Sequence, residues 1–240
     1  FGSRSGSAGY RAGLWIGPHD ADHVLVMIPG MNTSTESWLN SNVPDAADLQ
    51  HLAATLANSH GRGTVAVVPL LADAPPQSAL DAPLGRFWRE GAEETVLALA
   101  PLDLAGRHVV GWGHSYGAAV LGATSALSGR FDDLVMVGAA GTGTESLEAL
   151  GVGSDHLFVA THWNDPIRLV PNNYHGVSPE TLPHIDVPTA PSTGFDGWKA
   201  LLSIPWFVID GLPDHDYLDD ETAVRAFAAI TIGLPDLNDL

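Results

Sequence analysis

Short apolar runs closed by Gly or Pro alternate along this chain with stretches whose apolar positions recur every three or four residues. Val24 to Ile28 (VLVMI) and Thr64 to Leu71 (TVAVVPLL) are continuous apolar runs, the mark of strands covered on both faces. Between them, Pro44 to Ser59 carries Leu49, Leu52, Ala53 and Leu56 on one stripe, which predicts an amphipathic helix. Leu84 to Leu99 repeats that pattern with Phe87, Trp88, Ala92, Val96 and Leu99. Further strands are expected at Arg107 to Trp112, Leu134 to Val137 and His156 to Thr161, with a short one at Leu14 to Ile16. Helices are expected at Ala118 to Leu127 and from about Asp220 to Ile232. The alternation predicts one α/β domain over residues 1–240, with a mostly parallel sheet flanked by helices. The Gly/Ser-rich residues 1–12 are expected to be loosely held.

One junction carries chemistry. Gly113-His114-Ser115-Tyr116-Gly117 stands between a strand pattern and a small-residue helix pattern. A G-x-S-x-G match is weak alone and specific in the strand–turn–helix context, where it forms a nucleophile elbow. So tight a turn strains its central residue, and the two glycines remove side chains that would collide with strand and helix. The helix N-terminus then points its unsatisfied N–H groups at the serine.

Composition narrows the partners. Acidic residues outnumber Lys+Arg 28 to 10, a net charge of -18 that repels phosphate backbones and argues against nucleic acid. Cysteine is absent, which excludes disulfides, thiolate metal sites and cysteine nucleophiles. No apolar run approaches the length of a transmembrane helix. The first residue is Phe1, not Met, as expected of a processed or trimmed form or of the C-terminal part of something longer. His19 and His23 beside Asp20 and Asp22 have a metal-like spacing, but the stretch leads into a strand and reads as a solvated turn. No cofactor or metal is called for.

A serine hydroxyl needs a base and a carboxylate to orient that base. In this architecture the order is Ser, then Asp/Glu, then His. Asp165, stiffened by Pro166 just past a strand, is the expected acid, with Asp186, Asp196 and Asp210 as alternatives. His215, in a late loop opening onto the last helix, is the expected base, ahead of His175 and His184. Asp219 and Asp220 are placed to cap that helix. The N–H of Tyr116, with that of Met31 or Asn32 in the loop after Ile28, is expected to form an oxyanion hole. Asp73, in a loop at a strand's C-terminal end, is expected to line the pocket, together with His114 and Trp163.

The segments from Ala21 into Met31, Gly113 to Gly117, Asn164 to Ile167 and His215 to Tyr217 resemble an actinobacterial α/β-hydrolase family long classed as a domain of unknown function. The likeness spans roughly residues 14–232. It implies an α/β-hydrolase fold with Ser115, Asp165 and His215 as triad, and leaves the substrate open. Two loops depart from the family pattern, at Leu71 to Pro75 and at Gly138 to Gly141, both beside the expected pocket. Residues 166–214 hold eight prolines, which oppose regular structure. Within them Trp198 to Val208, with Trp198 and Trp206, is an apolar run suited either to packing on the domain or to a lid over Ser115. The expected activity is a serine esterase working through an acyl-enzyme. Amidase, peptidase and acyltransferase readings share that intermediate, and a catalytically silent binding module is the remaining reading.

Overall fold

The computed structural model describes residues 2–4, 10–72, 75, 86–171, 173–191 and 215–234. Eight strands form one sheet: β1 (Gly2–Arg4), β2 (Tyr10–Gly13), β3 (His23–Ile28), β4 (Val65–Leu71), β5 (His108–His114), β6 (Asp133–Val137), β7 (Leu157–Ala160) and β8 (Ile185–Asp186). Their order across the sheet is β1-β2-β4-β3-β5-β6-β7-β8. From β4 to β8 every pair is parallel, while β1 and β2 join antiparallel at the edge. The helices are α1 (Thr35–Ser37), α2 (Val43–His60), α3 (Arg86–Leu99), α4 (Tyr116–Ser128), α5 (Leu147–Leu150) and α6 (Glu221–Thr231).

Period-two burial divides the core between the two faces. Along β3, Val24, Val26 and Ile28 face a cluster with Trp88, Ala92, Leu99, Ala119 and Leu121 of α3 and α4. Leu25 and Met27 face the opposite cluster, with Leu49 and Ala53 of α2 and Phe227 and Ile230 of α6. Helices on both faces leave the central strands without a solvated side, so they read as apolar runs rather than alternations. Local signals end the helices where expected. Gly61 and Gly129 close α2 and α4 in the left-handed conformation. The Asp220 carboxylate caps α6 by accepting from the N–H groups of Thr222 and Ala223.

The N-terminal expectation is corrected. Gly2–Arg4 and Tyr10–Gly13 pair as strands, and the strand expected at Leu14 to Ile16 is reduced to a single bridge between Ile16 and Val67. The free edge of β4 supplies the partner that imposes pairing on a sequence with little strand character of its own. Among its described residues the Pro-rich stretch also yields short 3-10 turns at Pro166–Leu169 and Pro179–Thr181 and a strand, β8, added to the far edge beside β7. No helix among the described residues is long and apolar enough to cross a membrane.

Candidate active site

Parallel strands deliver their C-terminal ends to one rim. The register pairs Ile28 with Gly113, His114 with Val137, and Val137 with Ala160. Segments leaving β3, β5, β6 and β7 therefore emerge side by side.

Ser115 follows β5 and is the N-cap of α4, at φ 54° and ψ -122°. A non-glycine residue at positive φ costs about 1–3 kcal/mol and persists only where its surroundings enforce it. They do so here. The Ser115 N–H donates to the Val137 carbonyl at 2.8 Å. A Cβ on Gly113 would lie 2.7 Å from the Gly117 carbonyl oxygen, and one on Gly117 would overlap the carbonyl oxygens of Ile28 and Pro29. Side chains at either position would force strand, turn and helix apart.

The loop after β3 lies against the apex. A Cβ at Gly30 would stand 3.3 Å from Ser115 Cβ. Met31 and Asn32 form the turn beyond it, with Asn32 at φ 59°, and the Thr33 hydroxyl donates to the Gly30 carbonyl at 2.9 Å. Tyr116, on the other side of the serine, is the first residue of α4.

Asp165 and His215 meet 50 residues apart in sequence. The imidazole Nδ1 lies 2.8 Å from Asp165 Oδ2 and 2.9 Å from Oδ1. Both residues are only 2% exposed. The carboxylate also accepts the Ile167 N–H at 2.8 Å and the Tyr217 hydroxyl at 2.5 Å. Burial alone pushes the Asp165 carboxyl up. The His215 hydrogen bond and charge, then the Tyr217 and Ile167 donors, outweigh burial and hold it below the ordinary carboxylate value. Asp165 thus caps a turn and orients a histidine at once. With Nδ1 donating, Nε2 is the basic nitrogen of a neutral His215. Nε2 is buried and has no hydrogen-bond partner among the described residues, the Ser115 hydroxyl included.

Two contacts tie this pair to the elbow. The Cβ position of Gly138, the residue after Val137, is 3.0 Å from His215 Cε1 and 3.1 Å from Asp165 Oδ2. His114 packs its ring 4.7 Å from that of His215, and His114 Nε2 donates to the His215 carbonyl at 2.9 Å. Burial, then the neighbouring His215, pushes the His114 imidazole down to about 3, so it is a neutral packing group. With Nε2 committed to that carbonyl, it braces His215.

The remaining expected residues separate clearly. Trp163 is 79% exposed, with the Arg168 guanidinium 5.4 Å over its ring, so it stands at the surface and not in an enclosed wall. The adjoining His162 and Asp165 carry the inward contacts of that loop, which leaves the intervening indole outside. His184 bonds Asp186, whose side chain is 94% exposed, so neither belongs to the buried pair. His175 is buried, with its ring 5.5 Å from that of Tyr116, and burial pushes its imidazole down to about 4. Its segment is pinned by Gly143 N–H to the His175 carbonyl and Val177 N–H to the Thr144 carbonyl, at 2.6 and 2.8 Å. Part of the Pro-rich stretch therefore does reach Tyr116, the residue after Ser115. Asp73, Asp196, Trp198, Asp210 and Trp206, and with them the expected lid, lie outside the described residues. No cluster of His, Asp or Glu among the described residues could hold a metal ion, the His19–His23 stretch included.

Sequence reasoning gave no role to Tyr217. The available signal was its spacing: residues i and i+2 of an extended segment point the same way. His215 and Tyr217 do so, onto one carboxylate.

A parallel sheet with a strained serine between strand and helix, and a His–Asp pair on the same rim, defines the α/β-hydrolase class. The chain belongs to that family: the alpha/beta hydrolase family model matches residues 9–174. Among its relatives are uncharacterised proteins of Mycobacterium tuberculosis and Mycobacterium bovis, each 29% identical over 189 residues, covering 72% of this chain and 68% of the relative. Among solved structures, a dienelactone hydrolase-like promiscuous phosphotriesterase from metagenomic libraries superposes with a TM-score of 0.51 at 16% identity, covering 95% of this chain and 93% of that one. That likeness is one of fold.

Proposed function

We propose that this α/β hydrolase is a serine esterase that cleaves carboxylic esters through an acyl-enzyme. The observation that carries the reading is the His215–Asp165 pair on the rim of the strained Ser115, its Nε2 without a partner among the described residues. In the proposed cycle His215 Nε2 takes the Ser115 hydroxyl proton as Oγ attacks the ester carbonyl. Asp165 holds the imidazole in the required tautomer and balances the charge it gains. The oxyanion forms against the N–H groups of Tyr116 and of Met31 or Asn32, helped by the positive end of α4. His215 then returns the proton to the leaving alkoxide and activates water to release the acid. Catalytic hydrogen bonds often tighten only when substrate is bound, so the open Nε2 contact is compatible with this role.

The acyl side is read from a neighbouring cleft of about 350 Å³, counting its solvent-open part. Pro29, Leu71, Phe87, Gly91, Tyr116 and Val120 are among its lining residues, and none of the described residues lining it is charged. Such a lining suits an aliphatic acyl group.

The test is a ladder of p-nitrophenyl esters with matched anilides and an added alcohol acceptor. Ester hydrolysis, with fluorophosphonate labelling lost in Ser115→Ala, supports the reading. Preferential anilide cleavage or transfer to the alcohol moves it to an amidase or an acyltransferase. Labelling absent from folded wild-type protein moves it to a silent module. Gly91→Leu should raise KM for hexanoyl esters several-fold more than for acetyl esters, because a Cβ there already comes within 3.3 Å of Val120.

A further inference from the structure

Behind the His–Asp pair lies a second tier of polar groups. The Tyr217 hydroxyl donates to Asp165 Oδ2 at 2.5 Å and accepts the His162 N–H at 3.0 Å. The His162 ring lies flat on the Tyr217 ring, centroids 4.2 Å apart and planes 4° from parallel. His162 Nε2 is 2.9 Å from Asp220 Oδ2, which also accepts the Ala190 N–H at 2.7 Å. The other oxygen of Asp220 caps α6. Tyr217 is 1% exposed, His162 5% and Asp220 8%. A phenol buried to that depth needs a partner for its hydroxyl. Here the partner is the carboxylate that orients the base.

We infer that Tyr217 is a positioning residue of the proposed triad: its O–H fixes the Asp165 carboxylate and moderates its pull on the His215 imidazolium, while His162 and Asp220 hold the phenol to the N-terminus of α6. This rests on the reading of Ser115, Asp165 and His215 given above. The direction of proton donation follows from chemistry. Burial first, then the Asp165 charge and hydrogen bond, drives the Tyr217 hydroxyl far above its ordinary value, so it remains protonated and donates. A hydrogen bond to a carboxylate disperses its charge. A carboxylate sharing its charge with a phenol stabilises an adjacent imidazolium less than a bare one. The phenol therefore favours prompt return of the proton from His215. A backbone N–H donating into the same phenol oxygen strengthens that donation cooperatively.

The groups able to influence this titration are few among the described residues. His215 faces Asp165, His114 and Tyr217. Tyr217 faces Asp165, His162 and His114, with Asp220 behind His162 and Glu180 at longer range. His114 is neutral across the working range, so the dominant change on removing the phenol O–H is at Asp165.

Tyr217→Phe should keep the ring and lose the donor. The expected result is a kcat lowered about 3- to 10-fold with KM unchanged, and an acid limb of the kcat/KM profile displaced about half a unit or more to higher pH. Site-specific 3,5-difluorotyrosine at 217, a stronger donor of nearly the same shape, should displace the limb to lower pH. The His215 ring followed by 15N NMR should shift the same way in each variant, a readout that does not depend on ester turnover. Opposite displacements by the two variants support the inference. A limb and an NMR titration that stay put in both, or that move the same way in both, overturn it. Wild-type protein that neither labels with fluorophosphonate nor turns over esters overturns the esterase reading instead, while the NMR comparison still tests the Tyr217 contact. Should Tyr217→Phe fail to fold because the His162 N–H is left unpaired, the difluorotyrosine variant and its NMR shift decide the matter.

Discussion

The two rims of the sheet hold the same residue types in opposite service. At the C-terminal ends of the strands, on the rim that carries Ser115, His215 meets Asp165. At the N-terminal ends, His108 of β5 meets Asp133 of β6 at 2.6 Å, and His156, just before β7, meets the other oxygen of Asp133 at 2.7 Å. His23 of β3 closes the lower row, its Nδ1 3.2 Å from His108 Nδ1 and its Nε2 2.6 Å from the Arg62 carbonyl. Bonding to that carbonyl makes His23 Nε2 a donor, so a neutral His23 accepts at Nδ1. His108 must then donate from Nδ1, and its Nε2 faces a carboxylate. Donation from both nitrogens is the hydrogen-bond geometry of a protonated ring. Burial lowers the His108 pKa, but the Asp133 hydrogen bond and charge outweigh burial and raise it. Burial lowers that of His23. On the lower rim these contacts tie strand ends to one another, to the loop at Arg62 and, through His108 Nδ1 and the Thr231 carbonyl at 3.2 Å, to α6. On the upper rim His215 Nε2 is left without a partner among the described residues, as is Nδ1 of His175 beside Tyr116. What sets the upper pair apart is a buried imidazole nitrogen with no partner among the described residues, and a strained serine on the same rim.

The largest effect expected from breaking this comparison is on the upper rim. Ser115→Ala should lower ester turnover about 10⁴-fold or more and abolish fluorophosphonate labelling. Asp165→Asn should cost a similar factor through the wrong imidazole tautomer, with the sheet intact by circular dichroism. Substituting the corresponding pair below should do the reverse. Asp133→Asn is expected to leave kcat/KM within about twofold while lowering unfolding free energy by about 1–3 kcal/mol in urea titration. The Asp133 side chain is only 9% exposed, and its loss strands two histidines. A variant at 133 that turned over slowly yet unfolded like wild type would erase the distinction between the rims.

How the pair on each rim could be read from sequence differs for physical reasons. Ser115 was legible because the elbow's demands are local: two glycines, a strand before and a small-residue helix after. Asp165 and His215 were legible from chain order and from their places just past a strand and just before a helix. The Tyr217 contact to Asp165 spans 52 residues and has no local pattern beyond the i, i+2 spacing. The lower-rim row was not foreseen, because it joins residues from four strand ends that only the parallel register brings level. β1 and β2 were missed since an edge can impose pairing on Gly-rich chain.

The pH dependence of stability sharpens the contrast further. His108 has a folded pKa raised above its unfolded value, near 6.5. Its contribution is therefore fully present below that value and fades as pH rises through the folded pKa. His114 and His175 act oppositely. Their folded values, about 3 and about 4, lie below the unfolded value. Their contribution is present above pH about 6.5 and is lost progressively as pH falls towards those folded values. Urea unfolding from pH 5 to 9 should show wild type gaining less stability above neutrality than Asp133→Asn, since the variant has no raised His108 pKa to lose. Parallel curves for the two proteins would mean that His108 is not held charged by Asp133.

The smallest effect should come from the one large aromatic the upper rim leaves outside. Trp163 is 79% exposed, with the Arg168 guanidinium 5.4 Å over its ring. An exposed cation–π contact is worth about 0.5–1 kcal/mol, and little apolar area is removed from water here. Trp163→Ala should therefore shift unfolding free energy by about 1 kcal/mol or less. It should also leave KM within about twofold across the ester ladder, because the indole does not enclose the cleft lined by Phe87 and Tyr116. A KM that rose steeply with acyl length in this variant would put the indole at the substrate's entrance, and the boundary between the working rim and its surroundings would have to be drawn one residue further out.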